Sequence, residues 1–402
     1  MRAAEIKPVS VGFISLGCAK NLVDSQVMAG YLKRGRIVLA PSPEAADVIL
    51  VNTCAFIEPA REEAAEAILS ACAYKNEGGC RAVIVAGCMV QRYRERLQEV
   101  FPDVDAFLGV DELERVGEIV SLVAAGRHPG VVVAPGEARN LYAPLYPTLL
   151  FTGGPFAYLK IAEGCNHRCA YCAIPNIRGR FRSRGADDLV EEARGMVEAG
   201  VKEINLISQD SLLYGADRQD GATLTGLLRR LDALDGEFWL RVLYGYPAGV
   251  TDELLALLNG ARHICRYLDL PVQHSHPDIL RAMNRGKAVD AIQELPQRLR
   301  QAVPGVVLRT TCLVGFPGET DEHFAHLLEY VRQAKFDHLG VFVYSPEEKT
   351  AAFEMADVPD PEVAASRRDR LMAAQRAVVD ERAHALAGSL DTALLLRRER
   401  RA

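Results

Sequence analysis

Three cysteines, Cys165, Cys169 and Cys172, fall in one short string, residues 163–172 (EGCNHRCAYC). The C-x3-C-x2-C spacing limits this chain more than any other feature. A loop that folds three thiolates together can hold three corners of a 4Fe–4S cube. The fourth iron then takes no ligand from the loop. It is open to bind a small molecule and pass it an electron. Two plainer readings compete. A zinc site usually wants four protein ligands, and His167 is a conceivable fourth, but it lies between two of the cysteines, where it partners both poorly. Cys169 and Cys172 alone form a C-x-x-C redox pair, and the third cysteine upstream argues against that.

The 402 residues are enough for two or three domains. The formal net charge of −6 gives no global pull toward nucleic acid or an anionic membrane. Residues 1–10 contain no apolar core of a signal peptide, and no apolar run approaches membrane-spanning length. Ten cysteines without a secretory signal read as free thiols or metal ligands, and the expected location is cytoplasmic.

The first third alternates apolar runs with helical patterns. Strands are predicted at 11–16, 46–51, 82–86 and 106–110, and helices at about 21–34, 59–74 and 90–99. Such alternation predicts a parallel α/β sheet covered on both faces. Pro129, Gly130, Pro135, Gly136, Pro144, Pro147, Gly153, Gly154 and Pro155 then break regular structure. The expected organisation is an N-terminal α/β domain over 1–135 and a linker over 136–155. A third segment, 156–358, repeats strand and helix about six times, with strands at 156–161, 203–208, 238–244, 267–271, 306–315 and 338–344. Six units suit a partial (β/α)6 barrel, whose chemistry sits at the C-terminal ends of its strands. The cysteine loop directly follows the first of these strands. The segment 359–402 reads as a helix to about residue 387 and one lone strand at 390–396. The basic run at 397–401 reads as a solvated end.

Cys18, Cys54 and Cys88 are far apart in sequence, yet each ends one of the first three predicted strands. In a parallel sheet those ends share one edge, where ligands bind. Three strand-end thiols can therefore converge into a second cluster site, with Gly17 and Gly87 letting the backbone approach a bulky group. Buried free cysteine is also common at such places, and position alone does not separate the two readings. Cys72, Cys80, Cys265 and Cys312 do not share the pattern and read as packing residues.

These motifs together resemble the methylthiotransferase family of radical S-adenosylmethionine enzymes, over nearly the whole chain. The strings that carry the resemblance are 16–21 (LGCAKN), 52–57 (NTCAFI), 86–88 (AGC), the Cys165, Cys169, Cys172 loop and 313–320 (LVGFPGET). The resemblance implies two 4Fe–4S clusters, an auxiliary one on Cys18, Cys54 and Cys88 and a radical one on Cys165, Cys169 and Cys172, with S-adenosylmethionine as methyl donor and radical source. It also implies a reductant protein such as flavodoxin or ferredoxin. Of the family's two branches, the chain is similar to the RimO type, which modifies the β-carbon of an aspartate in ribosomal protein S twelve. The supporting strings are 205–210 (NLISQD), 268–275 (LDLPVQHS), Cys54 to Ile57, and Val23, Asp24 and Ser25. That branch implies no direct contact with nucleic acid.

Two alternatives stay open at this point, a transfer-RNA methylthiotransferase acting on a prenylated adenosine beside the anticodon, and an inactive truncated homologue. The second arises because family members usually end in a TRAM-type β-barrel. Here only 389–396 is left for its first strand, so that barrel is expected to be truncated.

Position within this frame suggests further site residues. Gln209 and Asp210 follow the second barrel strand and could reach the cofactor or substrate, with a turn cap as the plainer role for Asp210. His274 follows the fourth strand beside Gln273. Gly315 and Gly318 would admit a close cofactor. Glu319 would cap the next helix or anchor its loop. Tyr171 would pack on the bound cofactor or cover the cube.

Overall fold

The computed structural model describes residues 8–35, 37–134, 136–139, 141, 150–151, 154–388 and 394. Apart from Leu394, the expected strand at 390–396 lies outside the described residues, as do the linker residues Pro135, Pro144, Pro147 and Gly153. The chain divides into two compact units. One takes Met1–Gly153 with Ile174–Arg180, and the other takes Gly154–Ala173 with Phe181–Ala402.

The first unit is a six-stranded parallel sheet. Its strands are β1 (Ser10–Ser15), β2 (Val38–Leu39), β3 (Val48–Thr53), β4 (Ala82–Gly87), β5 (Ala106–Leu108) and β6 (Gly130–Val132), in the order β2-β1-β3-β4-β5-β6. Every pairing is parallel. Connections run through α1 (Ala19–Arg34), α2 (Glu58–Asn76), α3 (Cys88–Tyr93), α4 (Arg96–Val100) and α5 (Val116–Ala124). The central strands β3 and β4 are buried at every position, because helices cover both faces of the sheet. Val11, Leu50, Ile84 and Leu108 pack with Met28 and Leu32 of α1 and with Val116, Ile119 and Val120 of α5 in one core.

Two predictions for this unit fail. The helix expected over 90–99 is broken into α3 and α4, since Arg94 takes a left-handed φ of 49° that ends the first piece. Pro129 and Gly130 do not end regular structure. Gly130, at φ 71°, opens β6, which pairs with β5. The β-branched run Val131, Val132 and Val133 carries the strand, and the prolines and glycines on either side mask it. The segment 174–180, which carries α6 (Ile174–Arg178), also belongs to this unit.

The second unit contains all six predicted strands, as β7 (Phe156–Lys160), β10 (Glu203–Ile207), β11 (Trp239–Val242), β12 (Tyr267–Asp269), β13 (Val307–Val314) and β14 (His338–Val343), with a small hairpin of β8 (Ala162–Glu163) and β9 (Arg182–Ser183). The six are parallel, in two runs, β7-β10-β11 and β12-β13-β14. A parallel bridge between Leu240 and Ile264 joins the runs. Helices α7 (Ala186–Glu198), α8 (Leu224–Asp232), α9 (Asp252–Gly260), α10 (Pro277–Ala282), α11 (Val289–Ala302), α12 (Asp321–Ala334) and α13 (Pro361–Leu386) complete a (β/α)6 partial barrel and its C-terminal helix. Thr223, Thr251 and Thr320 cap α8, α9 and α12 with their side-chain oxygens, satisfying orphan N–H groups at each start. Cys72, Cys80 and Cys312 are buried, as packing residues should be, and Cys265 is partly exposed. No helix among the described residues is long and apolar enough to cross a membrane.

Candidate functional site

In the first unit the strand order reverses between β1 and β3, which both pair with their neighbours in parallel. In an open α/β sheet the crevice beyond the strand ends at such a reversal is where ligands bind. Cys18 follows β1, Cys54 follows β3, and Cys88 opens α3 at the end of β4. Burial pushes the Cys54 thiol up, and Cys18 adds to the rise. The Cys88 thiol is pushed up to about 12, first by burial, with Cys54 and Cys18 adding and Arg178 opposing. The three sulfurs are thus within electrostatic reach of one another. A thiol near 12 stays protonated at neutral pH unless a cation takes its sulfur. Three sulfurs gathered at one sheet edge are a donor set that an iron–sulfur cluster takes.

The backbone is shaped for that trio. Gly17 adopts φ 85°, and a Cβ there would sit 2.6 Å from Cys54 Cβ. Gly87 adopts φ 96°, and a Cβ would meet Asn52 Oδ1. Beneath the sulfurs, α1 turns polar residues inward, with Asn21, Asp24, Ser25 and Gln26 all buried. Asn21 Nδ2 donates to Leu16 O at 2.7 Å, and Asn52 Nδ2 donates to Asn21 O and Ser25 Oγ, each at 2.8 Å. Arg178 reaches the same place from α6. Its Nη1 donates to Asp24 Oδ2 at 2.7 Å, and Nη2 to Cys88 Sγ at 3.1 Å and Asn21 Oδ1 at 3.3 Å. Sequence reasoning missed Arg178. No periodicity marks it, and the only hint was its closeness in sequence to Cys172.

In the second unit, the Cys165–Cys172 loop leaves β8 at Gly164 (φ 79°). Its shape is held by backbone bonds. Ala170 N donates to Met283 O at 2.9 Å, Ala352 N to Ala170 O at 2.7 Å, and Cys172 N to Cys169 O at 3.0 Å. Asn284 Nδ2 donates to Arg168 O at 2.6 Å. Ala170 sits in an apolar cluster with Ile279, Met283, Leu313, Phe316 and Tyr344, and Tyr171 packs against it. Burial raises the Cys165 thiol to about 12, with Asp210 and Cys169 adding to the rise. Burial also holds the Tyr171 phenol far above its ordinary range, with Cys169 and Cys172 close enough to contribute. Arg285, buried, points Nη1 at Cys169 Sγ (3.7 Å) and stacks over Tyr246 at 4.4 Å. Neither Arg285 nor Tyr246 was legible in the sequence, since their own neighbours in the chain carry no motif.

The residues expected at the strand ends are placed as follows. Asp210 Oδ2 meets His167 Nε2 at 2.7 Å, while Oδ1 accepts from Leu212 N at 3.2 Å and Tyr246 N at 3.0 Å. It therefore serves as a turn cap and orients a cysteine-loop histidine at once. His167 stacks on Tyr246, ring centroids 4.0 Å apart. Gln209 Nε2 donates to Glu163 Oε1 at 2.6 Å, and Gln209 Oε1 is buried with no hydrogen-bond partner among the described residues. Glu163 Oε2 in turn pairs with Lys160 Nζ at 2.5 Å.

Thr320 caps α12, so Glu319 has the other expected role and anchors the loop. Its Oε2 accepts from Gly315 N and lies 3.6 Å from Arg367 Nη1. Gly315 is required by φ 74° and by Ala364, whose Cβ would lie 2.6 Å from a side chain there. Gly318 also has positive φ, with open space where its Cβ would be. His274 is fully buried, and its Nδ1 accepts from His276 N at 2.9 Å. Gln273 before it sits at φ 68° and bridges Cys312 of β13. His274 Nε2 and Glu319 Oε1 have no hydrogen-bond partner among the described residues. Unpartnered buried polar atoms of this kind are what a polar ligand would satisfy.

Residues 159–331 match the Radical SAM superfamily, and residues 10–109 match a family described as Uncharacterized protein family UPF0004. Among solved structures, the chain resembles the radical S-adenosylmethionine methyltransferase TsrM from Kitasatospora setae, with TM-score 0.61 and 16% identity over 84% of this chain and 77% of that one. A likeness at that identity speaks for the fold. Closer relatives are named Ribosomal protein uS12 methylthiotransferase RimO. The protein of that name from Syntrophotalea carbinolica is 44% identical over 96% of this chain and 84% of its own. The one from Geotalea uraniireducens is 45% identical over 92% of this chain and 82% of its own. By this identity over nearly its full length, and by the two matched domains, the chain belongs to the RimO family of radical SAM methylthiotransferases.

Proposed function

We propose that this enzyme adds a methylthio group to the β-carbon of an aspartate in ribosomal protein uS12. The observation that carries the reading is a pair of thiol trios, each beyond the C-terminal ends of parallel strands in its own unit. Radical SAM membership brings one 4Fe–4S cluster and S-adenosylmethionine. Cys165, Cys169 and Cys172 would hold that cluster, and Cys18, Cys54 and Cys88 an auxiliary 4Fe–4S cluster. When bound, these cofactors supply a radical that can take hydrogen from an unactivated carbon, together with the methyl and sulfur to be transferred.

The chain supplies binding, orientation and shelter from water. Tyr171, Gln209, Gly315 and Glu319 form the cofactor-binding set. Support comes from the Gln209 Oε1 and Glu319 Oε1 atoms, which are buried without a hydrogen-bond partner among the described residues. Asp210 fixes the ring of His167 within the cysteine loop. His274 is held neutral by burial, which suits it to accept or donate one hydrogen bond rather than to carry charge. In domain terms, 1–135 carries the auxiliary site, 136–155 links, 156–358 is the radical barrel and 359–402 its C-terminal extension, with 174–180 joined to the first of these. The work would be done in the cytoplasm, with electrons from a protein such as flavodoxin or ferredoxin.

The test is mass spectrometry of a uS12 peptide after incubation with anaerobically reconstituted protein, S-adenosylmethionine and reductant. A methylthio increment on one aspartate is expected. An unmodified peptide, with a methylthiolated adenosine appearing in transfer RNA under the same conditions, overturns the substrate.

A further inference from the structure

The buried cation beside Cys88 has a consequence for the auxiliary site. Arg178 is 3% exposed and Asp24 is 1% exposed. A guanidinium in such a place is costly unless it is paired and its N–H groups are used. Its pairing with Asp24 accounts for the first need. Its Nη2 donates to Asn21 Oδ1 and to a sulfur, Cys88 Sγ at 3.1 Å. A hydrogen-bonded cation beside one ligand sulfur, with a carboxylate beyond it, is an arrangement for setting the charge felt by that sulfur.

We propose that the Asp24–Arg178 pair sets the reduction potential of the auxiliary cluster, Arg178 raising it and Asp24 moderating that effect. The inference rests on the assignment of Cys18, Cys54 and Cys88 to a cluster. Reduction adds one electron to the cluster and its thiolates. An N–H···S bond from a cation stabilises the added negative charge, and potentials follow net charge and hydrogen bonds to sulfur. Asp24, 2.7 Å from the guanidinium, offsets part of that field. Arg178 is thus a positioning and tuning residue, since it acts through a ligand of the group and not on substrate. It is also supplied by α6, which follows the radical-cluster loop in the chain, so the segment that carries Cys172 continues into the residue that conditions Cys88.

The test is potentiometric titration, followed by electron paramagnetic resonance, of the full reconstituted chain. The auxiliary signal is identified as the one that Cys54→Ala removes. Arg178→Gln should move that signal's midpoint to more negative potential, and Asp24→Asn should move it to more positive potential. The signal removed by Cys169→Ala should stay where it was. A merely structural salt bridge would not give shifts of opposite sign. Unmoved midpoints, or shifts of one sign, overturn the proposal while leaving the cluster assignment intact. If Arg178→Gln fails to assemble, Asp24→Asn decides, because its positive shift is required. Wild-type protein that saturates at about four iron atoms instead of about eight removes the auxiliary cluster itself, and this inference with it.

Discussion

His274 Nε2 lies 3.9 Å from Glu319 Oε1, with both side chains fully buried and neither atom hydrogen-bonded among the described residues. The separation is too long for a direct hydrogen bond. Burial lowers the imidazole pKa below its ordinary 6.5, and Glu319 opposes that only in part. The pair is therefore a neutral ring facing a polar acceptor across a gap that one ligand atom could bridge.

The first prediction is a pH dependence. In the unfolded chain His274 takes up a proton near its ordinary value, and in the folded protein it resists protonation. The unfolded state then binds more protons, so this residue's contribution is fully present above about pH 6.5 and is lost as pH falls through the lowered folded value. Urea denaturation of wild type and His274→Gln at about pH 8 and about pH 5.5 checks it. The wild type should lose more stability on acidification than the variant, and equal losses would remove the linkage.

A second prediction separates the two thiol trios. Cys169→Ala should abolish reductive cleavage of S-adenosylmethionine. Cys54→Ala should keep that cleavage but form no methylthiolated product. Reconstituted wild type should bind about eight iron atoms per chain, and each variant about four. Chromatography of 5′-deoxyadenosine and an iron assay are sufficient, and full product yield from Cys54→Ala would contradict the division of labour.

Gly17 supplies a third. A methyl group there would collide with Cys54 Cβ at 2.6 Å, and φ 85° disfavours any other residue. Gly17→Ala should cost about 1–3 kcal/mol and reduce iron content while sparing cleavage of S-adenosylmethionine. A variant with full iron and unchanged stability would mean that the loop has room the geometry does not show.

The buried ion pair of Lys160 and Glu163 gives a fourth. Lys160 is 1% exposed and its Nζ lies 2.5 Å from Glu163 Oε2. Lys160→Met removes a cation held 2.5 Å from a buried carboxylate and should cost about 3–5 kcal/mol. The double variant with Glu163→Gln should recover part of that loss while keeping an acceptor for Gln209 Nε2. Equal destabilisation of single and double variants in thermal unfolding would rule out the lost ion pair as the cause.

The cysteine spacing, the six barrel strands and the three strand-end thiols were legible in the sequence. Strand identity follows from local apolar runs, and a parallel sheet brings strand ends to one edge whatever lies between them. Element boundaries were less legible. Arg94 ends a helix by one left-handed residue that the apolar pattern does not betray, and Gly130 opens a strand where it was expected to prevent one.

By itself, then, the sequence determined which atoms are available for metal chemistry and which strands carry them, because both are set by short-range spacing. Only the tertiary structure decided what surrounds them. It brought Arg178 to Cys88, Arg285 to Cys169, Asp210 to His167 and His274 to Glu319. Each of these pairs is made by chain reversals between distant elements, and at least one member of each is buried. Neither the reversal nor the loss of water is written in the neighbours of any one residue.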